Sequence, residues 1–132
     1  MRKRTGESQV SETALISIVD DDESMREAIQ SLLRSVGFRA KTFASGEQFL
    51  QSDQIENTAC LILDVRMPGM SGLDLQRRLM ATQCRIPIVF VTAHGEEEAR
   101  SRALQEGAVD FLLKPFSEEA LLNAIQAALH VH

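Results

Sequence analysis

From Leu15 onward, short apolar runs alternate with segments of helical periodicity, and the alternation repeats five times. "LISIV", residues 15–19, predicts a first strand that runs straight into Asp20, Asp21 and Asp22. Ser24 then suits a helix cap, with Met25, Ala28, Ile29, Leu32, Leu33 and Val36 at the 3.6-residue spacing and Gly37 as the stop. "RAKTF" predicts a second strand, and Ser45 opens a short helix through Phe49 and Leu50. "ACLILDV" predicts a third strand whose unbroken apolar core suits cover on both faces. It too ends in an acid, Asp64. A turn-rich loop with Pro68, Gly69 and Gly72 leads to an amphipathic helix carrying Leu75 and Leu79. "IPIVFVTA" predicts a fourth strand ending at Thr92, and "EEEARSRALQEG" a helix with an acidic start that closes at Gly107. "VDFLLKPF" predicts the fifth strand, stopped by Pro115. The last helix has Ser117 as cap and Leu121, Leu122, Ile125 and Leu129 inward.

Short connections between strands and helices imply right-handed crossovers and a parallel sheet with helices on both faces, an α/β doubly wound domain. Such sheets bind ligands beyond the carboxyl ends of their strands, where strand order reverses. Those ends carry Asp20 to Asp22, Asp64, Thr92 and Lys114. Acids from two strand ends, with no histidine or cysteine in register, suit a hard cation held by oxygen, above all Mg²⁺. A carboxylate is also a nucleophile toward phosphorus when cations neutralise the phosphoryl oxygens, and Lys114 can share that task. The Thr92 hydroxyl can bond a phosphoryl oxygen, so its position can report on phosphate.

At 132 residues the chain fits one domain, and 44% apolar with 25% charged residues is a globular balance. The polar first 13 residues read as a flexible tail, including the basic "RKR", before a domain over 14–132. The net charge of −5 argues against a nucleic-acid surface as the main feature of this chain, and leaves DNA contact to another domain. "MRKR" is not followed by the apolar core of a signal peptide, and no apolar run reaches the roughly 18 residues of a membrane span. A cytoplasmic location without membrane contact is the expectation. Cys60 and Cys84 carry no assigned role, and Cys60 sits inside an apolar run as a small core residue.

"IVDDDESMR", "LILDVRMPGMSGLDL", "VFVTAHG" and "GAVDFLLKPF" resemble, in order and spacing, the four sequence blocks of two-component response-regulator receiver domains, the CheY-like superfamily. Any one block is weak, whereas the set is highly specific and spans Leu15 to Leu129. The resemblance implies a flavodoxin-like five-stranded sheet in order 2-1-3-4-5. It makes Asp64 the phosphoacceptor and assigns Mg²⁺, or Mn²⁺ in its place, to Asp21, Asp64 and the backbone carbonyl of Arg66, with Asp20 acting through a water. Lys114 would contact the phosphoryl group and precede Pro115 through a cis bond. Thr92 and Phe111 would form the switch pair, the hydroxyl moving toward phosphate as the ring turns inward. The implied partner is a sensor histidine kinase. The readout face is the fourth helix, fifth strand and fifth helix, roughly Glu96 to Leu129, where phosphorylation favours a homodimer. Such a domain is a switch that assists its own phosphorylation and dephosphorylation more than an enzyme with outside substrates. The blocks look most like the FixJ-type branch, whose receivers usually precede a helix-turn-helix DNA-binding domain. This chain ends at His132, so a transcription-regulating output lies outside it, and a stand-alone receiver acting through protein partners is the alternative.

Several residues depart from that pattern or invite another reading. Asp22 is a third acid, read as a solvated loop charge. Phe111 stands where tyrosine is frequent and lacks its hydroxyl. Arg66, two residues after Asp64, could shape water access to the phosphate, and His94, two after Thr92, could face it, although a solvated histidine is commoner. The D-x-D of "DDDES" also resembles the nucleophile motif of haloacid-dehalogenase-type phosphohydrolases, with Asp20 attacking. That reading lacks a cap domain and leaves Asp64 unexplained. A silent interaction module on the same fold would have lost some of the rim residues.

Overall fold

The computed structural model describes residues 14–93 and 95–130. The tail expected at 1–13, His94 and His132 lie outside the described residues. Five strands, β1 (Leu15–Val19), β2 (Arg39–Phe43), β3 (Thr58–Leu63), β4 (Ile88–Thr92) and β5 (Asp110–Leu113), alternate with five helices. These are α1 (Glu23–Ser35), α2 (Gly46–Gln51), α3 (Gly72–Ala81), α4 (Glu97–Gln105) and α5 (Glu118–Leu129). All strand pairs are parallel, in the order β2-β1-β3-β4-β5.

Side chains on successive strand positions leave opposite faces of the sheet, and the core divides accordingly. Ile16, Ile18, Cys60, Ile62, Val89 and Val91 meet Ile29 and Leu33 of α1 and Leu121, Ala124, Ile125 and Ala128 of α5. On the other face Leu61, Leu63, Phe90 and Phe111 meet Phe49 of α2, Leu75 and Leu79 of α3, and Ala99 and Ala103 of α4. Burial pushes the Cys60 thiol up to about 12, so it packs as an inert small residue. Buried hydroxyls form a chain. Thr58 donates to the Gln54 carbonyl at 2.7 Å, which leaves Ser17 to donate to Thr58, also at 2.7 Å.

Two expectations change. Asp22, not Ser24, caps α1: its carboxylate accepts the N–H groups of Ser24 (3.0 Å) and Met25 (3.4 Å). The third acid is therefore a structural acceptor at the helix start. Ala28 and Val36 do not join the core. The buried stripe of α1 centres on Ile29 and Leu33, about 120° round the helix from Ala28 at 3.6 residues per turn, and Val36 is the non-helical C-cap. Gln76, a polar position on α3, is 1% exposed and donates to the Ala103 carbonyl of α4 at 3.0 Å.

Both sheet edges carry side-chain cover. The Ala40 carbonyl of β2 accepts from Gln30 (3.1 Å) and Arg34 (3.4 Å) of α1, and the Phe111 N–H of β5 donates to the Asp110 carboxylate at 2.8 Å.

Candidate functional site

The chain leaves β1 to one side for β2 and returns on the other for β3, so strand order reverses between β1 and β3. Val19 and Leu63 are register partners there, and the Asp64 N–H bonds to the Val19 carbonyl at 3.0 Å. This pairing sets Asp20 and Asp64 side by side as each strand ends. One carboxylate oxygen from each of Asp20, Asp21 and Asp64 lies within 4.8 Å of the other two. Asp20 and Asp64 are buried and Asp21 is exposed. Arg26 of α1 holds the first loop in place by donating to the Asp20 carbonyl at 2.8 Å.

Lys114, just past β5, reaches across the rim. Its Nζ lies 2.9 Å from Asp20 Oδ2 and 3.7 Å from Asp64 Oδ2. Burial by itself would lower the Lys114 ammonium. The Asp20 hydrogen bond and the charges of Asp64, Asp20 and Asp22 outweigh it and hold the group above the ordinary lysine range. Asp64 moves the same way for a different reason. Burial raises its pKa, aided by the Asp20 charge, against the Thr92 hydroxyl, Lys114 and the Val65 N–H, which favour the anion. One ammonium among three carboxylates leaves the site short of positive charge, and its donors are all oxygens. That donor set fits a divalent hard cation.

Asp64 Oδ1 accepts the Val65 N–H at 2.7 Å, while Oδ2 faces Lys114. Thr92 is fully buried with its hydroxyl on the Asp64 carboxylate. Phe111 is 7% exposed and packs against Phe90, ring centroids 5.8 Å apart. The Phe111 ring thus lies inward, and the Thr92 hydroxyl bears on the Asp64 carboxylate. The Lys114–Pro115 peptide is cis.

The site also uses residues that hydropathy did not single out. A Cβ on Gly72 would lie 2.0 Å from the Asp64 carbonyl oxygen, so α3 can start this close to the acid only on glycine. The Arg66 side chain does not enter the pocket. It forms an ion pair with Glu96, on the loop beyond β4, and this partner raises the guanidinium further above its ordinary value. Asp20 has both oxygens engaged, Oδ1 by the Asp22 N–H at 2.9 Å and Oδ2 by Lys114.

Residues 16–126 match the family model described as the response regulator receiver domain. The chain belongs to the response regulator receiver family. This receiver is 46% identical over 127 residues to Nodulation protein W of Bradyrhizobium diazoefficiens, covering 96% of the chain and 56% of that protein. It is 50% identical over 116 residues to response regulator protein TmoT of Ectopseudomonas mendocina, covering 88% and 53%. The crystal structure of FixJ-N superposes with a TM-score of 0.80 at 36% identity, covering 89% of the receiver and 95% of that chain. The receiver spans about half the length of the curated relatives it matches. Receivers of this family are signalling switches of two-component systems, served by sensor kinases. No helix among the described residues is long and apolar enough to cross a membrane.

Proposed function

We propose that this receiver accepts a phosphoryl group on Asp64 from a histidine of a sensor kinase, and that the modification switches the face made by α4, β5 and α5. The observation that carries this reading is the convergence of Lys114, Thr92 and two further acids on the buried Asp64 carboxylate. With Oδ1 held by the Val65 N–H, Oδ2 is the atom placed to attack phosphorus. As the Oδ2–P bond forms, the P–N bond to the kinase imidazole breaks and the electron pair leaves with that nitrogen. Asp21, Asp64 and the Arg66 carbonyl would hold Mg²⁺, or Mn²⁺ in its place, with Asp20 acting through a water. When bound, the cation supplies the charge that neutralises the phosphoryl oxygens. Lys114 brings its ammonium to the same oxygens. Thr92 exchanges its bond to the carboxylate for one to the phosphoryl group and draws the loop after β4 with it, with Phe111 packed behind. Hydrolysis by water returns Asp64 and releases phosphate.

The readout is a phosphorylation-favoured homodimer through α4, β5 and α5, and an output segment, a DNA-binding regulator in the FixJ manner, beyond the present chain. The roughly twofold greater length of the relatives supports this reading over a stand-alone receiver. The test is incubation with acetyl phosphate and Mg²⁺, read by intact mass, with Asp64→Asn and Asp20→Asn as controls. The expected result is a single metal-dependent adduct absent only from Asp64→Asn. An adduct that survives in Asp64→Asn but vanishes in Asp20→Asn would return the hydrolase reading, and no adduct on the wild type would leave a silent interaction module.

A further inference from the structure

Helix α4 is held differently at its two ends. At its C-terminal end α3 grips it: Gln76 donates to the Ala103 carbonyl at 3.0 Å, and Arg77 pairs with Glu106 at 3.4 Å. At its N-terminal end the N-cap residue, Glu96, makes no side-chain capping hydrogen bond. Its carboxylate is instead paired with Arg66, two residues past Asp64. The start of α4 is thus tied to the loop that carries the phosphoacceptor, by two side chains more than half exposed. An exposed pair of this kind is weak and exchanges readily.

We infer that Arg66 and Glu96 form a charge-exchange latch, in which a phosphoryl group on Asp64 takes Arg66 from Glu96 and releases the first turn of α4. The inference rests on the phosphoacceptor reading of Asp64. The chemistry favours the exchange: a guanidinium binds phosphoryl oxygens through parallel N–H bonds, and the aspartyl phosphate presents more negative charge than Glu96. The released helix start stays anchored at Ala103 and Glu106, so α4 turns about its C-terminal end. Arg66 and Glu96 act here as positioning residues, separate from the Arg66 backbone carbonyl proposed for the metal.

The Arg100 N–H bonds to the Glu96 carbonyl at 3.0 Å, so its hydrogen exchange reports directly on the first turn. Exchange is compared with and without acetyl phosphate and Mg²⁺, at matched phosphoryl stoichiometry on Asp64 read by intact mass. In the wild type, phosphorylation is expected to speed Arg100 exchange about two- to fivefold, the range an exposed ion pair supports. Glu96→Gln is expected to exchange at the faster rate already and to gain nothing on phosphorylation. Arg66→Ala removes the other partner and should likewise exchange at the faster rate in the resting form and gain nothing on phosphorylation. If Glu96→Gln matches the resting wild type, or keeps the full response to phosphate, the latch is wrong while the phosphoacceptor stands. Absence of any adduct on the wild type overturns both.

Discussion

Helices α1 and α4 both follow a strand end that feeds the site, and they are built to opposite ends. The first has 13 residues, a carboxylate cap on two backbone N–H groups, Ile29 and Leu33 in the core, and Arg26 and Gln30 bonded to neighbouring carbonyls. The other has nine residues, no side-chain cap, and only alanines, Ala99 and Ala103, among its buried residues. Burial of a leucine or isoleucine is worth about 1.5–3 kcal/mol, whereas an alanine methyl contributes roughly a third of that. The loop that holds the acids is thereby fixed in place, and the helix on the readout face is left free to respond. Rigidity is spent where charges must converge, and looseness is kept where a signal must be read.

The largest effect that would break this contrast is Leu33→Ala. It should cost about 2–5 kcal/mol in urea denaturation. Ala103→Gly in α4 should cost about 1 kcal/mol, chiefly through helix propensity; equal losses would mean α4 is anchored as firmly as α1. Next comes Asp64→Asn. The folded protein holds the Asp64 proton more tightly than the unfolded chain does, because burial and Asp20 raise its pKa. That contribution is present below the ordinary carboxylate value near 4 and is lost as pH rises through the raised one. Asparagine escapes the loss, so the variant should be more stable than wild type by about 1 kcal/mol at pH 7 and no more stable in acid. Millimolar Mg²⁺ should narrow the gap, and thermal melts across pH would show it.

Smaller again is the cap. Asp22→Ala and Asp22→Ser both remove a charge from the acid cluster, but serine keeps an acceptor for the Ser24 and Met25 N–H groups. The alanine variant should be less stable by about 1 kcal/mol. Smallest is Glu96→Ala, within about 0.5 kcal/mol of wild type, since the residue caps nothing and its ion pair is exposed. A loss as large as that of the α1 cap would place α4 among the fixed elements.

Much of this was legible in the sequence because local signals agreed. Apolar runs bounded by serine, glycine and proline gave all ten elements, and a polar residue at the end of an apolar run marked Asp20, Asp64 and Thr92 each time. Lys114 stood out for the same reason. Three acids in a row hid which of the residues from Asp20 to Ser24 caps α1, since each has an oxygen within reach of a helix start. Gln76 carried no signal in the sequence, because its burial depends on α4 arriving from 27 positions away. The Arg66–Glu96 pair joins two loops through long side chains, and no periodicity relates them. Gly72 read as a turn residue, although its need is steric and comes from the Asp64 carbonyl above it.

The cover over the outer strands bears on how copies of this protein meet. An open β-strand offers unpaired N–H and carbonyl groups to any other strand, and aggregation can begin there. On β2 the Ala40 carbonyl is already claimed by Gln30 and Arg34, and on β5 the Phe111 N–H is claimed by its own neighbour Asp110. Strand-to-strand addition would have to displace those bonds at either margin. Self-association is thereby steered away from sheet extension and toward side-chain surfaces, whose contacts a change in charge can make or undo.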